Sequence, residues 1–157
     1  MIVIQHNCCK TYTVTIAILE IALEKGAGVV CLQEPYIGKK EISHPGFTFY
    51  WPEAEERKKI RVGIAIKKDI LGSWILEHRI DLINSTYIQC LDIWDVIRGT
   101  KSWKTRLVNI YNQRIGGSGS YRAIEHVQWV DIITRRTVLA GDFNTRSPRW
   151  DPSVRTP

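Results

Sequence analysis

The stretch Val29-Val30-Cys31-Leu32-Gln33-Glu34-Pro35 decides how this chain is read. Four apolar residues in a row are the mark of a short strand covered on both faces. The run leads straight into Gln33, Glu34 and Pro35, so a carboxylate stands where the apolar strand ends. Upstream, residues 12–25 carry a helical period in which Val14, Ala17, Ile18, Ile21 and Ala22 share one face. Gly26 and Gly28 then close that helix. A short β-rich run at residues 2–5 comes before it, so the opening of the chain predicts strand, helix, strand.

Downstream the rhythm changes. His44-Pro45-Gly46 is a turn, and strands are predicted over 47–51, 62–67, 85–96 and 104–111, with a charged loop over 53–59. Consecutive strands on short loops describe a meander, hence a mixed or antiparallel sheet, with two packed sheets as the plausible arrangement. Gly116-Gly117-Ser118-Gly119-Ser120 is a connector into a helix predicted over 121–134, striped by Ala123, Val127, Val130 and Ile133. Residues 137–140 form another apolar strand, ending in Gly141-Asp142-Phe143-Asn144. The tail over 145–157 holds three prolines and reads as loop. The expectation is one domain over 1–157.

Composition narrows the classes. An apolar share of 44% with 24% charged residues excludes a disordered chain. Lys and Arg number 22 against 16 Asp and Glu, a net charge of +6 that favours anionic partners such as nucleic-acid phosphates. Cys8, Cys9, Cys31 and Cys90 have no paired CxxC spacing, so neither a zinc site nor a disulfide framework is expected. No apolar stretch approaches the length of a membrane span, and no targeting signal is read, so the chain is expected to be soluble and intracellular.

Apolar strands end in polar residues at Asn7, at Glu34, at Asn109 to Asn112, and at Asp142 with Asn144. Residues at i and i+2 of a strand project to one face, which aims Asp142 and Asn144 at one point and turns Phe143 into packing. Carboxylate and carboxamide oxygens are hard ligands that suit Mg²⁺, an ion held by one or two protein carboxylates together with substrate phosphate. Glu34 is the first choice of metal ligand, with Asn7 on the same ion or its waters. Asp142 is placed to orient or deprotonate an attacking water, and Asn144 to hold phosphate oxygens. Tyr111 has a hydroxyl to donate to developing phosphate charge.

Taken together, Ile4-Gln5-His6-Asn7, Val30-Cys31-Leu32-Gln33-Glu34-Pro35, Val108-Asn109-Ile110-Tyr111 and Ala140-Gly141-Asp142-Phe143-Asn144 resemble the endonuclease/exonuclease/phosphatase superfamily. Gln33-Glu34-Pro35-Tyr36, His44-Pro45-Gly46-Phe47 and Ser147-Pro148-Arg149-Trp150 look like the endonuclease domain of non-LTR retrotransposon polyproteins. The resemblance implies a DNase I-like α/β sandwich of two packed mixed β-sheets flanked by helices. It also implies metal-dependent phosphodiester hydrolysis that nicks DNA, with Mg²⁺ or Mn²⁺ as cofactor, a reverse transcriptase domain downstream in the parent polyprotein, and a nuclear setting. Glu34 and Asn7 take the metal; Asp142, Asn144 and Tyr111 take the catalytic roles.

Two departures from the pattern matter. Tyr111-Asn112-Gln113-Arg114 stands where related nucleases read Tyr-x-Pro-Asn, which puts Asn112 and Arg114, with Arg146, forward as phosphate or DNA contacts. The Ser-Asp-His signature that ends the family does not follow Asn144, and no histidine follows His126. The sandwich is therefore expected to lack its C-terminal strands, and hydrolysis by the chain alone to be weak or absent. Two alternatives stay open: a catalytically dead remnant that binds metal or nucleic acid only, and a phosphomonoesterase of the same superfamily.

Overall fold

Every residue of the strand Val29–Gln33 (β2) is buried. Val30 and Leu32 pack under a helix, while Cys31 and Val29 point the other way into a second apolar layer. That two-sided burial is why the run shows no polar alternation. The computed structural model describes residues 1–38, 41–115 and 121–144.

Val3–Asn7 (β1) pairs with β2 in parallel, joined through the helix Tyr12–Glu24 (α1). Phe47–Tyr50 (β3) and Val62–Lys67 (β4) complete a four-stranded sheet in the order β1-β2-β4-β3, with β4 antiparallel to both neighbours. The second sheet has the order β10-β7-β6-β5, built from Trp74–His78 (β5), Ile88–Ile97 (β6), Thr100–Tyr111 (β7) and Thr137–Asp142 (β10). Here β10 runs parallel to β7, and β5 to β7 are antiparallel. Between β7 and β10, Arg114–Ile115 (β8) and Tyr121–Arg122 (β9) form a small ribbon.

Three apolar clusters lie in successive layers. Leu19, Ala22 and Ile18 of α1 cover Val30, Leu32, Phe47 and Ala65 on the outer face of the first sheet. Val29, Cys31, Ile64 and Ile66 meet Leu91, Ile93 and Leu107 between the sheets. Ala123 and Ile132 cover Ile88, Cys90, Val108 and Ile110 on the outer face of the second. This is the expected sandwich of two mixed sheets with helical cover. Among the described residues no strand pairs with the outer edge of β1 or β10, and Val138 and Leu139 of β10 stay partly in solvent. All four cysteines are free, and no described helix is long and apolar enough to cross a membrane.

The structure departs from the sequence expectations in four places. The buried face of α1 is Thr15, Ile18, Leu19 and Ala22, so Ala17 and Ile21 of the expected stripe face solvent. The helix expected over 121–134 is instead β9, a 3₁₀ turn at Ala123–His126 and a single helical turn, Trp129–Ile132 (α2). Five of these fourteen residues are isoleucine or valine, which are mediocre helix formers. Its backbone is also claimed by other elements: the Ile124 N–H donates to Asn112 Oδ1, and the Asp131 and Ile132 carbonyls accept from Arg106. β5 is legible only as an exposed strand at His78, without bounds, because as an edge strand it is partly exposed along its whole length and has no clean alternation. β7 begins at Thr100, earlier than expected, after a turn in which Arg98 and Gly99 both have positive φ, as a two-residue hairpin requires. The connector 116–120 and the tail 145–157 lie outside the described residues.

Candidate active site

β1 is parallel to β2 and β10 to β7, and Asn7 at the end of β1 touches Asp142 at the end of β10, so the C-terminal ends of all four strands emerge at one end of the sandwich. Asn7, Glu34, Tyr111 and Asp142 stand at those ends. The register confirms the two pairs, with Asn7 opposite Gln33 and Asp142 opposite Tyr111.

The two sheets are joined at this end by a direct hydrogen bond, Asn7 Nδ2 donating to Asp142 Oδ2 at 2.9 Å. Asn7 Oδ1 accepts the Cys9 N–H at 2.9 Å, which fixes the amide's orientation and leaves that oxygen a second lone pair. The other Asp142 oxygen accepts the Asn144 N–H at 3.0 Å, so the acid is held from both sides. Gly141 explains why the motif needs a glycine. Its φ is +152°, and a Cβ there would overlap the Ile110 backbone on the neighbouring strand.

Glu34 sits just past β2 with φ +43°, a left-handed conformation that costs a non-glycine residue roughly 1–2 kcal/mol. Its backbone is pinned on both sides: its N–H donates to Arg61 O at 2.7 Å, and its carbonyl accepts the Lys10 N–H at 2.7 Å. The strain is thus held by the ends of β1 and β4, and it aims the carboxylate at the mouth of the site. There the carboxylate is 3.3 Å from Lys10 Nζ and 16% exposed. The Tyr111 hydroxyl is close enough to feel its charge.

Burial, then the charge of Glu34, then the charge of Asp142, push the Tyr111 hydroxyl up from 10.0 to about 12. Tyr111 is therefore a neutral donor throughout the physiological range. A raised folded-state value stabilises the fold below the unfolded value and is lost as pH climbs through the folded one. Stability is expected to fall between pH 10 and about 12. Tyr111→Phe should flatten that part of a base-denaturation profile followed by circular dichroism; an unchanged profile would count against the Glu34–Tyr111 interaction.

The remaining candidates separate into two groups. Asn144 is exposed, with φ +46°, a conformation asparagine tolerates, and its carbonyl accepts from Arg122. Asn112 is only 1% exposed; its Nδ2 donates to Phe143 O at 2.6 Å and its Oδ1 accepts the Ile124 N–H at 3.3 Å. The structure thus places Asn112 behind the site, tying β7 to the loop after β10. Phe143, expected in packing, is 38% exposed. The Arg114 side chain and Arg146 lie outside the described residues.

Two groups gain importance that their types alone did not indicate. Gln33 and Asn109 form a buried chain between the sheets: Gln5 Nε2 donates to Gln33 Oε1 at 2.6 Å, and Gln33 Nε2 to Asn109 Oδ1 at 2.5 Å. Asn109 Nδ2 donates in turn to Leu32 O at 3.0 Å and Gly63 O at 2.8 Å. This network lies one residue before Glu34 and sets the spacing of the sheets beneath the site. The second group is Arg61, opposite Glu34 at the start of β4, whose positive charge acts on Tyr111.

Histidines take no part here among the described side chains. Ile4 packs under α1 while Val3 faces the second sheet, so alternation sends His6 away from Asn7 and Asp142. His44 donates from Nε2 to Glu20, its Nδ1 accepting the Gly46 N–H, and His78 is on β5, across the sheet from β10. No described group of three or more His, Cys, Asp and Glu side chains converges as a metal cage. The donor set is one forward carboxylate, a second carboxylate at Asp142 and a carboxamide oxygen, all hard ligands. That set fits a hydrated Mg²⁺, which needs one or two protein carboxylates and a substrate phosphate.

No family model and no curated protein matches the chain. Solved structures do. The endonuclease domain of TRAS1, a telomere-specific non-LTR retrotransposon, superposes with a TM-score of 0.69 at 22% identity, covering 94% of this chain and 61% of that one. D. rerio TDP2 humanized by 14 mutations gives 0.55 at 16% identity, covering 93% and 63%. D. rerio TDP2 complexed with a single-strand DNA product gives 0.51 at 14% identity, covering 93% and 61%. The chain thus spans less than two thirds of the length of each. The order of the two sheets, the cover of α1 and the superposition agree that this chain has the DNase I-like sandwich fold of those structures.

Proposed function

We propose that this chain is a DNA-nicking endonuclease of the retrotransposon type, hydrolysing a phosphodiester with a divalent metal ion, Mg²⁺ or Mn²⁺, held at Glu34 and Asn7. One observation carries the reading. Four polar residues from distant parts of the sequence meet at one end of both sheets, where Asn7 and Asp142 are hydrogen-bonded and the charges of Glu34 and Asp142 both act on Tyr111. The nucleic-acid substrate is favoured by the net charge of +6, by Lys10 beside Glu34 and by the Arg61 charge that reaches Tyr111. TDP2, which shares the fold, has been crystallised with a single-strand DNA product.

The residues divide the work as follows. A bound divalent ion would supply charge neutralisation at the phosphate and a more acidic water. Glu34 and the free lone pair of Asn7 Oδ1 are the groups that would hold it. Asp142, oriented by Asn7 and the Asn144 N–H, accepts a proton from an attacking water. Tyr111 donates its proton in a hydrogen bond to phosphate charge when substrate is present. Asn144 and Arg61 add polar contacts at the phosphate. A reverse transcriptase domain downstream belongs to the same proposal.

A second reading, a metal- and DNA-binding remnant without turnover, is favoured by the absence of a histidine at this end among the described side chains. Supercoiled plasmid separates the two. Slow conversion to open circles is expected in Mg²⁺ and Mn²⁺, with none in EDTA and none with Glu34→Gln. Plasmid binding without any nicking would instead establish the remnant. Release of inorganic phosphate from small phosphomonoesters, with plasmid left intact, would move the chain to the phosphatases.

A further inference from the structure

Beside the carboxylate end of β2 is a cavity of about 210 Å³ lined by Tyr36, Ile37, Gly38, Glu41, Ile42, Trp51 and Arg57. None of these residues has a part in the chemistry described above. We propose that this cavity is a nucleobase subsite that stacks one base of a DNA strand next to the phosphate held at Glu34; the proposal rests on the nuclease reading and deepens it.

The topology puts the cavity in the right place. Tyr36 follows Glu34 by two residues, so their Cα atoms lie within about 7 Å. β3 and β2 are both antiparallel to β4, so they run the same way, and Trp51, one residue past β3, leaves the sheet at the end where Glu34 does. Arg57 precedes β4 at that same end. A strand whose phosphate sits at Glu34 therefore passes the cavity with its neighbouring nucleotide.

The walls suit a flat ring. Each aromatic lies against a glycine: a Cβ at Gly38 would overlap the Tyr36 ring, and one at Gly63 would overlap the Trp51 ring. Both rings are braced from behind. Tyr12 meets Tyr36 edge-on, with centroids 5.5 Å apart and planes at 85°, while Phe49 stacks on Trp51 at 5.6 Å and 1°. The Tyr36 N–H donates to Thr15 Oγ1 at 3.2 Å, which ties its backbone to α1. Both rings are only half-buried, so faces remain for a ligand, and they are ordered before one arrives. Ile37 and the buried Ile42 add apolar surface.

The mouth supplies polar recognition. Arg57 Nη1 and Glu41 Oε1 are 3.5 Å apart and both largely exposed. An exposed pair of this kind is held weakly, so its guanidinium and carboxylate are available to the donors and acceptors of a base edge. A π-face to stack on, flanked by one donor group and one acceptor group, is the chemistry that receives a nucleobase in single-strand binding sites.

The test uses the whole chain in EDTA, which removes turnover, and two fluorescein-labelled 12-nucleotide single strands: one of mixed sequence, one of equal length with abasic residues throughout. Anisotropy titration is expected to show tighter binding of the base-containing strand. Tyr36→Leu should shrink that preference by about five- to 150-fold, the value of one base–aromatic stack, with the abasic affinity unchanged, and Tyr36→Phe should retain it. Tyr36 packs on Tyr12, so thermal unfolding is followed for each variant. If Tyr36→Leu does not fold, the exposed Arg57→Ala gives the same comparison. Equal weakening of both strands, or an unchanged preference in the variant that folds, overturns the subsite alone. Failure of the wild-type chain to bind either strand overturns the nuclease reading with it.

Discussion

Asp142→Ala is expected to slow metal-dependent nicking by about 10²–10⁴-fold, the range usual for loss of a positioned general base. The argument lies in how Asp142 is held. Its two oxygens take one hydrogen bond each, from Asn7 Nδ2 across the sheets and from the Asn144 N–H on its own loop, so its position is fixed before substrate arrives. Removing the carboxylate takes away a negative charge close to where the phosphate must sit. DNA affinity in EDTA is therefore expected to stay the same or rise while turnover falls. Single-turnover cleavage of an end-labelled duplex, beside anisotropy binding, separates the two effects. A loss under 10-fold, or a parallel loss of binding and rate, would remove Asp142 from the proton-transfer role. The two hydrogen bonds lost at this partly exposed position cost on the order of 1–3 kcal/mol of stability, which circular dichroism would register without global unfolding.

Much of this site is legible in the sequence because strand ends announce themselves. Asn7, Glu34 and Asp142 each interrupt or follow an apolar run, and burial on both faces of β2 leaves the polarity change at Gln33-Glu34 unmistakable. Which of them touch is another matter. Asn7 and Asp142 are 135 residues apart, and their contact depends on how two sheets stack, which no local pattern encodes. The same holds for Gln33 and Asn109. Each looks like strand-end polarity, yet both are fully buried and bonded to one another between the sheets.

The fold was readable where a periodic pattern is long, and lost where tertiary contacts decide. α1 has a helical period and ends at a glycine with positive φ, so its bounds follow from its own residues, although the buried face is turned toward Thr15 and Leu19 and away from Ala17 and Ile21. The 121–134 stretch carries a stripe too, but Val130 is 84% exposed and Ile133 47%, so that stripe is not the buried face. Hydrogen bonds from Arg106 and to Asn112 set the path there, and both partners belong to β7 or the residue after it. Asn112 shows the converse. Its neighbour Tyr111 is at the site, but alternation and the Phe143 carbonyl turn its amide inward.

Arg106 is also the reason that Asp92→Ala is expected to cost the fold about 3–5 kcal/mol, the usual consequence of leaving one member of a buried ion pair alone. The two are register partners on β6 and β7, facing outward under α2. Asp92 is fully buried and accepts from Arg106 Nε at 2.7 Å and Nη2 at 2.9 Å, and from Arg79 Nη1 at 2.8 Å, with Lys104 Nζ at 3.5 Å. Burial pushes its carboxyl upward, but the hydrogen bonds of Arg106 and Arg79 and the charges of Arg106 and Lys104 outweigh that, and the net direction is downward. A depressed value stabilises the fold above the unfolded carboxylate range and is lost as pH falls through the folded value, so Asp92→Ala should also lessen the acid sensitivity of unfolding. Arg106→Leu is expected to cost less, because Arg79 and Lys104 still neutralise Asp92, although the Asp131 and Ile132 carbonyls lose their donor. The double variant Asp92→Leu with Arg106→Leu should regain most of the loss, since apolar residues replace the pair. Urea unfolding of Asp92→Leu, Arg106→Leu and the double variant measures the cycle, with Asp92→Ala alongside. A cost below about 1 kcal/mol for Asp92→Ala would mean that water reaches Arg106, and the buried network would not be what seats α2 on the second sheet.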